Sequence, residues 1–150
     1  MISHASFQEQ VIDTLQAYSD LTDLLPSPSD GSYEIRELHW QGTEFEYPNV
    51  RVDVRPQTPE GLGNCRPTIS IIDFAVVAFS ENDSSLECER ICFEIGEALF
   101  GTQPEDATPS QGPAWRCETV NLMRINSPRR IPERIWRGEV IFRARVKETS

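Results

Sequence analysis

Residues 68–79, Thr-Ile-Ser-Ile-Ile-Asp-Phe-Ala-Val-Val-Ala-Phe, are the most β-prone stretch of the chain. Alternate positions of a strand point to opposite sides of a sheet, and here both sets of positions are largely apolar. We therefore predict a central strand that is covered on both faces. Asp73 is the one charged residue of this stretch, and a buried carboxylate needs a partner. Two hypotheses stay open for it: an ion pair with an arginine of a neighbouring strand or another subunit, and an edge position exposed to water.

Helices are predicted on either side of this strand along the chain. Ser84-Ser-Leu-Glu87 and Ser6-Phe-Gln-Glu9 both have the spacing of a capping box, which starts a helix. After the box at Ser84, an apolar stripe ends near Gly101, a suitable C-terminal cap; its members are Leu86, Ile91, Ile95, Ala98 and Leu99. After the box at Ser6, a second apolar stripe ends at Pro26; its members are Phe7, Val11, Leu15, Tyr18, Leu21, Leu24 and Leu25.

Further strands are predicted from alternating apolar residues and the turn signals between them. The predicted strands cover residues 33–40, 49–55, 116–125 and 134–147. Loops or turns are predicted at 56–67, 102–114 and 127–132, where prolines and glycines cluster. The order α-β-β-β-α-β-β predicts an α+β fold in a single domain over residues 1–150, with a mainly antiparallel four- to five-stranded sheet and two helices packed on one face.

Composition excludes several classes of protein. The 150 residues are 38% hydrophobic and 25% charged, which is ordinary for a soluble globular domain and unlike a disordered tail or a membrane span. With 24 acidic against 14 basic residues the net charge is −10, which argues against sequence-specific binding of nucleic acid. The charge is uneven, since successive thirds of the chain carry −8, −5 and +3.

No motif for catalysis, a cofactor or a metal stands out. His4 and His39 are far from any nucleophile in sequence, so we expect no enzyme activity, no cofactor and no metal. The four cysteines form no C-x-x-C pair and are expected to be small buried hydrophobes; they are Cys65, Cys88, Cys92 and Cys117. Because no signal peptide precedes them, we expect a cytoplasmic protein with reduced thiols.

The last predicted strand carries arginines on one face and apolar residues on the other. Thirteen of the 14 basic residues are arginine, and most lie in the last third. An acidic first half and a basic last strand are complementary, which favours head-to-tail packing of identical subunits into a ring. A plain solvated strand face is the alternative. The remaining apolar face of residues 68–79 is expected to be covered by the loops at 56–67 and 102–114 or by a neighbouring subunit.

The order of elements resembles the tail-terminator or tail-completion proteins of long-tailed bacteriophages. The resemblance covers nearly the whole chain. The segments that carry it are Leu24-Leu25-Pro26, Tyr47-Pro-Asn-Val-Arg-Val-Asp-Val54, Ile69 to Phe79, Ala98-Leu-Phe-Gly101 and Ile135 to Val146. The proline-rich segment 102–114 is longer than this pattern predicts.

The resemblance implies a structural virion protein of the tail or neck, assembled in the host cytoplasm. It would form a ring, commonly a homohexamer, that caps the tail tube, stops its elongation and joins the head connector. Its partners would be other copies of itself, the tail tube protein and the connector or adaptor protein. DNA would pass through the lumen without sequence-specific binding, and no membrane is involved. The residues it implies at interfaces are Arg129, Arg130, Arg134, Arg143, Arg145 and Asp73.

Two other functions remain open. One is another neck component, such as a head-completion or adaptor protein. The other is a small ligand-binding or enzymatic α+β domain, which would bring Asp73, Cys88 and Cys92 together at a closed pocket.

Overall fold

Six strands form one mixed sheet in the computed structural model, which describes residues 1–26, 33–40, 46–60, 68–132 and 134–149. The helices in this part of the chain are α1 (His4–Gln16), α2 (Ser19–Thr22) and α3 (Leu86–Leu99). The strands are β1 (Ile35–Glu37), β2 (Asn49–Glu60), β3 (Ile69–Ser80), β4 (Glu105–Asp106), β5 (Trp115–Ile131) and β6 (Ile135–Glu148). None of these helices is long and apolar enough to span a membrane.

The sheet confirms the α+β class and is larger than predicted. Its strand order is β1-β2-β3-β6-β5-β4, with β3 in the interior. β1 runs parallel to β2, and the other neighbouring strands are antiparallel. The predicted sheet of four to five mainly antiparallel strands is wrong in two places. First, β1 pairs with β2 in the parallel direction. Second, the two-residue strand β4 lies inside the predicted loop 102–114, where it pairs with Trp115 and Arg116 of β5.

The first helix differs from the prediction at both ends. Its N-cap is Ser3, whose side chain accepts a hydrogen bond from the Ser6 backbone N–H at 3.3 Å, so the capping box predicted at Ser6 is wrong. The backbone turns extended at Tyr18, with φ −91° and ψ 102°, and this divides the predicted helix into α1 and α2. The apolar stripe continues across the break because Leu15 and Leu21 are both buried.

The second predicted helix is confirmed as α3, with a different start. Ser85 is its N-cap and makes no side-chain capping bond. Glu87 instead accepts a hydrogen bond from Ser80 Oγ at 2.7 Å, so the capping box predicted there is also wrong. Gly101 has φ +75°, the left-handed conformation expected of a C-terminal cap. Leu86, which the apolar stripe predicted to be buried, is exposed.

Two strands run through predicted loops. β2 continues through the first part of the predicted loop 56–67 to Glu60, with a register shift between Val54 and Gln57; residues 61–67 lie outside the described part. β5 continues through the predicted turn 127–132 as far as Ile131, and a register shift between Asn126 and Arg129 absorbs its irregularity. Arg134, just before β6, has φ +63°.

The hydrophobic core lies between the helices and one face of the sheet. Phe74 of β3 stacks on its register partner Phe142 of β6, with ring centroids 5.1 Å apart. Phe7 of α1 packs edge-on against Phe74 at 5.4 Å. Cys88 of α3 donates a hydrogen bond to the Ala78 carbonyl at 3.5 Å. These contacts place α1 and α3 on the same face of the sheet, here called the inner face, as predicted; the opposite face is the outer face.

Candidate assembly surfaces

The outer face carries an ion pair at its centre. Asp73 and Arg143 are register partners on β3 and β6. Arg143 Nε donates to Asp73 Oδ1 at 2.8 Å and Nη2 donates to Oδ2 at 3.1 Å, a bidentate arrangement. The hydrogen bonds from Arg143 lower the pKa of Asp73, and those to Asp73 raise the pKa of Arg143. Asp73 therefore has its arginine on a neighbouring strand, and the edge-position hypothesis is wrong because β3 is interior.

Arg145 joins three strands on the same face. Its Nε donates to Glu60 of β2 at 3.0 Å, and its Nη1 contacts Glu118 of β5. The hydrogen bond to Glu60 and the nearby charge of Glu118 raise the pKa of Arg145. The arginines at 143 and 145 are thus engaged within the chain, in ion pairs that link neighbouring strands of the outer face.

The apolar middle of the outer face is buried within the single chain. Ala75 and Val77 are each only 1% exposed. In register beside Val77 lie Arg51 and Glu139, whose long side chains share this face. The coverage predicted for both faces of β3 is therefore present at its centre without a neighbouring subunit.

The other candidate arginines stand at the end of the β5–β6 hairpin. Arg129, Arg130 and Arg134 are exposed and make no ion pair with another described residue. The Arg130 guanidinium lies 5.9 Å from the centre of the Trp136 ring, a cation–π contact. We call residues Arg129, Arg130, Ile131, Pro132 and Arg134 the hairpin tip. The structure thus separates the six candidates into a paired group in mid-sheet and a cationic group at the tip.

The helices and the β5–β6 hairpin differ in charge. Helices α1, α2 and α3 together carry seven acidic residues and one arginine. Strands β5 and β6 carry eight basic and three acidic residues. The helical layer is therefore acidic and the β5–β6 hairpin basic, so two copies have complementary surfaces to offer each other.

An exposed apolar groove between α3 and β5 was missed by the sequence analysis. Its volume is about 200 Å³. We call it the apolar groove; its lining residues are Phe93, Gly96, Glu97, Phe100, Leu122 and Ile125. Phe93 and Phe100 are 58% and 62% exposed. Their seven-residue spacing, off the buried stripe of α3, is the sequence signal that could have found them.

The edge of the sheet beside this groove is open. β4 pairs only with Trp115 and Arg116. Farther along β5, the Cys117 N–H donates to the Pro104 carbonyl, and the Gly101 N–H donates to the Val120 carbonyl. From residue 121 to 131, β5 has no strand partner on this edge among the described residues. Edges of this kind are common sites of association.

The cysteines are packing residues in this fold. Cys88, Cys92 and Cys117 are buried on the inner face, and burial raises the pKa of Cys117 to about 12. Cys92 also has a raised pKa, because of its hydrogen bond with Cys88 and its burial. Asp73 lies on the outer face, so these residues do not converge on a pocket. In the described ranges no three metal-ligating side chains cluster; Cys65 lies outside those ranges.

The architecture is therefore a two-layer α+β domain with an ion-paired outer face, a cationic hairpin tip and an exposed apolar groove. No protein-family model matches the sequence, and no curated protein matches it. A chain in a solved structure described as the virion of a native gene transfer agent (GTA) particle has a similar fold, with a TM-score of 0.69. The two sequences are 19% identical, and the match covers 97% of this chain and 99% of that chain. The likeness shows a shared fold over essentially the full length of both chains.

Proposed function

We propose that this chain is a structural virion protein of a phage-like particle, without enzyme activity. It forms a ring at the end of the tail tube, stops tube elongation and provides the surface that the head connector joins. The observation that carries the proposal is the full-length likeness to a chain of the GTA virion particle. The order of elements in the sequence, which resembles tail-terminator proteins, supports the same class.

Ring formation is supported by the distribution of charge. Identical subunits can close into a ring when two different patches of the same chain fit each other and the rotation between neighbours closes. The acidic helical layer and the basic β5–β6 hairpin are such patches. We propose a homohexamer, with the tail tube protein and the head connector as its other partners. DNA passes through the lumen without sequence-specific contacts, and the ring is assembled in the host cytoplasm.

A second candidate function is another neck component, a head-completion or adaptor protein. A fold shared with one chain of a whole virion particle fits either position, since both are parts of a virion. The two candidates differ in which neighbour the ring contacts. A terminator binds the tail tube protein directly, whereas an adaptor binds the portal side of the head.

The test is immunogold labelling of particles purified from cells that produce this protein. Gold at the junction of tail and head, retained on tails separated from heads, is the expected result. Gold retained only on separated heads would favour the adaptor position. Particles that carry no label, checked by immunoblotting of the same preparation, would contradict a virion location.

A further inference from the structure

The apolar groove is a recess with one acidic residue, Glu97, in its lining, whereas the hairpin tip stands at the end of two strands and carries arginines. Three of the large hydrophobic side chains exposed in the described part of the chain line the groove: Phe93, Phe100 and Ile125. At about 200 Å³ the groove is smaller than ordinary small-molecule sites of roughly 300–1,000 Å³. Its size and apolar lining suit a protein side chain.

The lining of the groove includes one charged side chain, which is acidic. Glu97 is part of its lining, and Glu94 lies one turn earlier on α3. A segment that combines an aliphatic side chain with positive charge would satisfy both the groove and its rim. In the hairpin tip, Ile131 directly follows Arg129 and Arg130, which is this combination.

We propose that the apolar groove of one copy receives the hairpin tip of a second copy. The aliphatic side chain of Ile131 packs against Phe93 and Phe100. Arg129 and Arg130 of the second copy lie against the acidic rim at Glu97. This proposal rests on the proposed function, because it names the contact by which the ring is built.

The contact cannot form within one molecule. Ile131 at the tip lies six positions after Ile125 in the groove along β5, about 20 Å of extended strand. Both positions are fixed in one paired hairpin, in which Ile131 opposes Ile135. The tip lies at the end of the strands and the groove lies along their side, so the two patches are distinct. A contact between distinct patches is heterologous, and repeated contacts close into a ring when the rotation allows.

Phe93→Ser tests the apolar half of the contact without adding charge. Leu86→Ser on the same helix is its control, since Leu86 is 69% exposed and does not line the groove. Sedimentation velocity over a concentration series measures assembly, and circular dichroism checks that each variant is folded. We expect Phe93→Ser to raise the concentration for half-assembly at least tenfold and Leu86→Ser to leave it within twofold. Equal assembly of both variants and the wild type would overturn the proposal.

Charge reversal tests the polar half. Glu97→Arg and Arg130→Glu should each weaken assembly, and the double variant, which restores opposite charges across the contact, should regain most of it. A double variant that assembles no more readily than the single variant that assembles least would overturn the proposed pairing. So would a wild-type chain that never self-associates, which would leave the groove to a different virion protein. Labelling of particles is independent of these variants, so failure of the docking contact and failure of the proposed function can be told apart.

Discussion

Cys92 of α3 packs directly on Gly138 of β6. A Cβ at position 138 would lie 2.5 Å from Cys92 Sγ and 3.2 Å from Cys88 Sγ. Gly138 is therefore a point of close approach between α3 and the sheet, and the two cysteines fill the space that a side chain would occupy. Their burial was predicted from the sequence, because free cysteines are commonly small buried hydrophobes. Their contact with a glycine 46 positions further along the chain arises only in the fold.

Gly138→Ala should destabilise the protein by about 1–3 kcal/mol, because overpacking forces the helix or the strand to move. Chemical denaturation at low protein concentration measures the free energy of unfolding. Gly96→Ala is the matched control: nothing lies within 4 Å of its added Cβ, and it sits within a helix. It should stabilise by about 0.5–1 kcal/mol. Introducing Cys92→Ala should relieve much of the loss at Gly138, and additive effects would contradict the contact.

Asp73→Asn should remove a small, pH-dependent stabilisation. Because the pKa of Asp73 is lowered in the folded state, its ionised form stabilises the fold. That contribution is complete above the unfolded-state pKa of about 3.9 and is lost as the pH falls through the lower folded-state pKa. The pair is partly exposed, with 37% and 50% of the two side chains accessible, so we expect less than about 1 kcal/mol at pH 7.

Unfolding free energies of the wild type and Asp73→Asn, measured from pH 7 to pH 2, check this prediction. The two curves should converge at the acidic end. Asp53→Asn, an acid on the neighbouring strand, controls for the general loss of negative charge. A difference that grows as the pH falls would have the wrong sign for this ion pair.

Ser6→Ala should cost about 1–3 kcal/mol, because a buried donor would lose its acceptor. Trp115 Nε1 donates to Ser6 Oγ at 2.8 Å, and Ser6 Oγ donates to Asp106 Oδ2 at 2.8 Å. Tryptophan fluorescence during urea unfolding reports both stability and the surroundings of Trp115. Thr14→Ala is the control, because that hydroxyl only bonds back to the Gln10 carbonyl within α1. Equal losses of stability in Ser6→Ala and Thr14→Ala would contradict a specific stabilising role for the hydrogen bonds at Ser6.

The buried thiols should resist modification in the native state. Cys88, Cys92 and Cys117 are each at most 1% exposed, and Cys117 has its pKa raised to about 12 by burial. In a Cys65→Ser background, a thiol reagent at pH 8 should label these three only at the rate of unfolding. Rapid labelling of one thiol under native conditions would contradict its burial.

The inner face of the sheet could be predicted from sequence more fully than its edges. Alternation along β6 placed Val140 and Phe142 on one side and Arg143 on the other, because a strand has only two faces. The strand predicted at 33–40 is present as β1, but its parallel pairing with β2 was not predicted, and β4 was missed because it is held by pairing with Trp115 and Arg116 and has no strong pattern of its own. Pro128 and Pro132 predicted a turn at 127–132, yet a register shift lets β5 continue past Pro128 and end at Ile131.

The candidate arginines were identified from sequence, but their contacts with distant parts of the chain were not. The arginines were evident from composition, but only the fold separates Arg143 and Arg145, which are paired within the sheet, from the group at the hairpin tip. The apolar groove depends on α3 lying beside β5, a relationship between segments that are far apart in sequence. Whether the six candidate residues lie at interfaces stays a prediction.

The most direct test of the account is the mass of the purified wild-type chain in solution. It would be measured over a concentration series at low and high salt, followed by negative-stain images of any large species. We predict a closed ring, six copies in size, which weakens as salt screens the contacts between acidic helices and basic hairpins. A chain that stays monomeric at every concentration, both alone and with purified tail tubes, would contradict it.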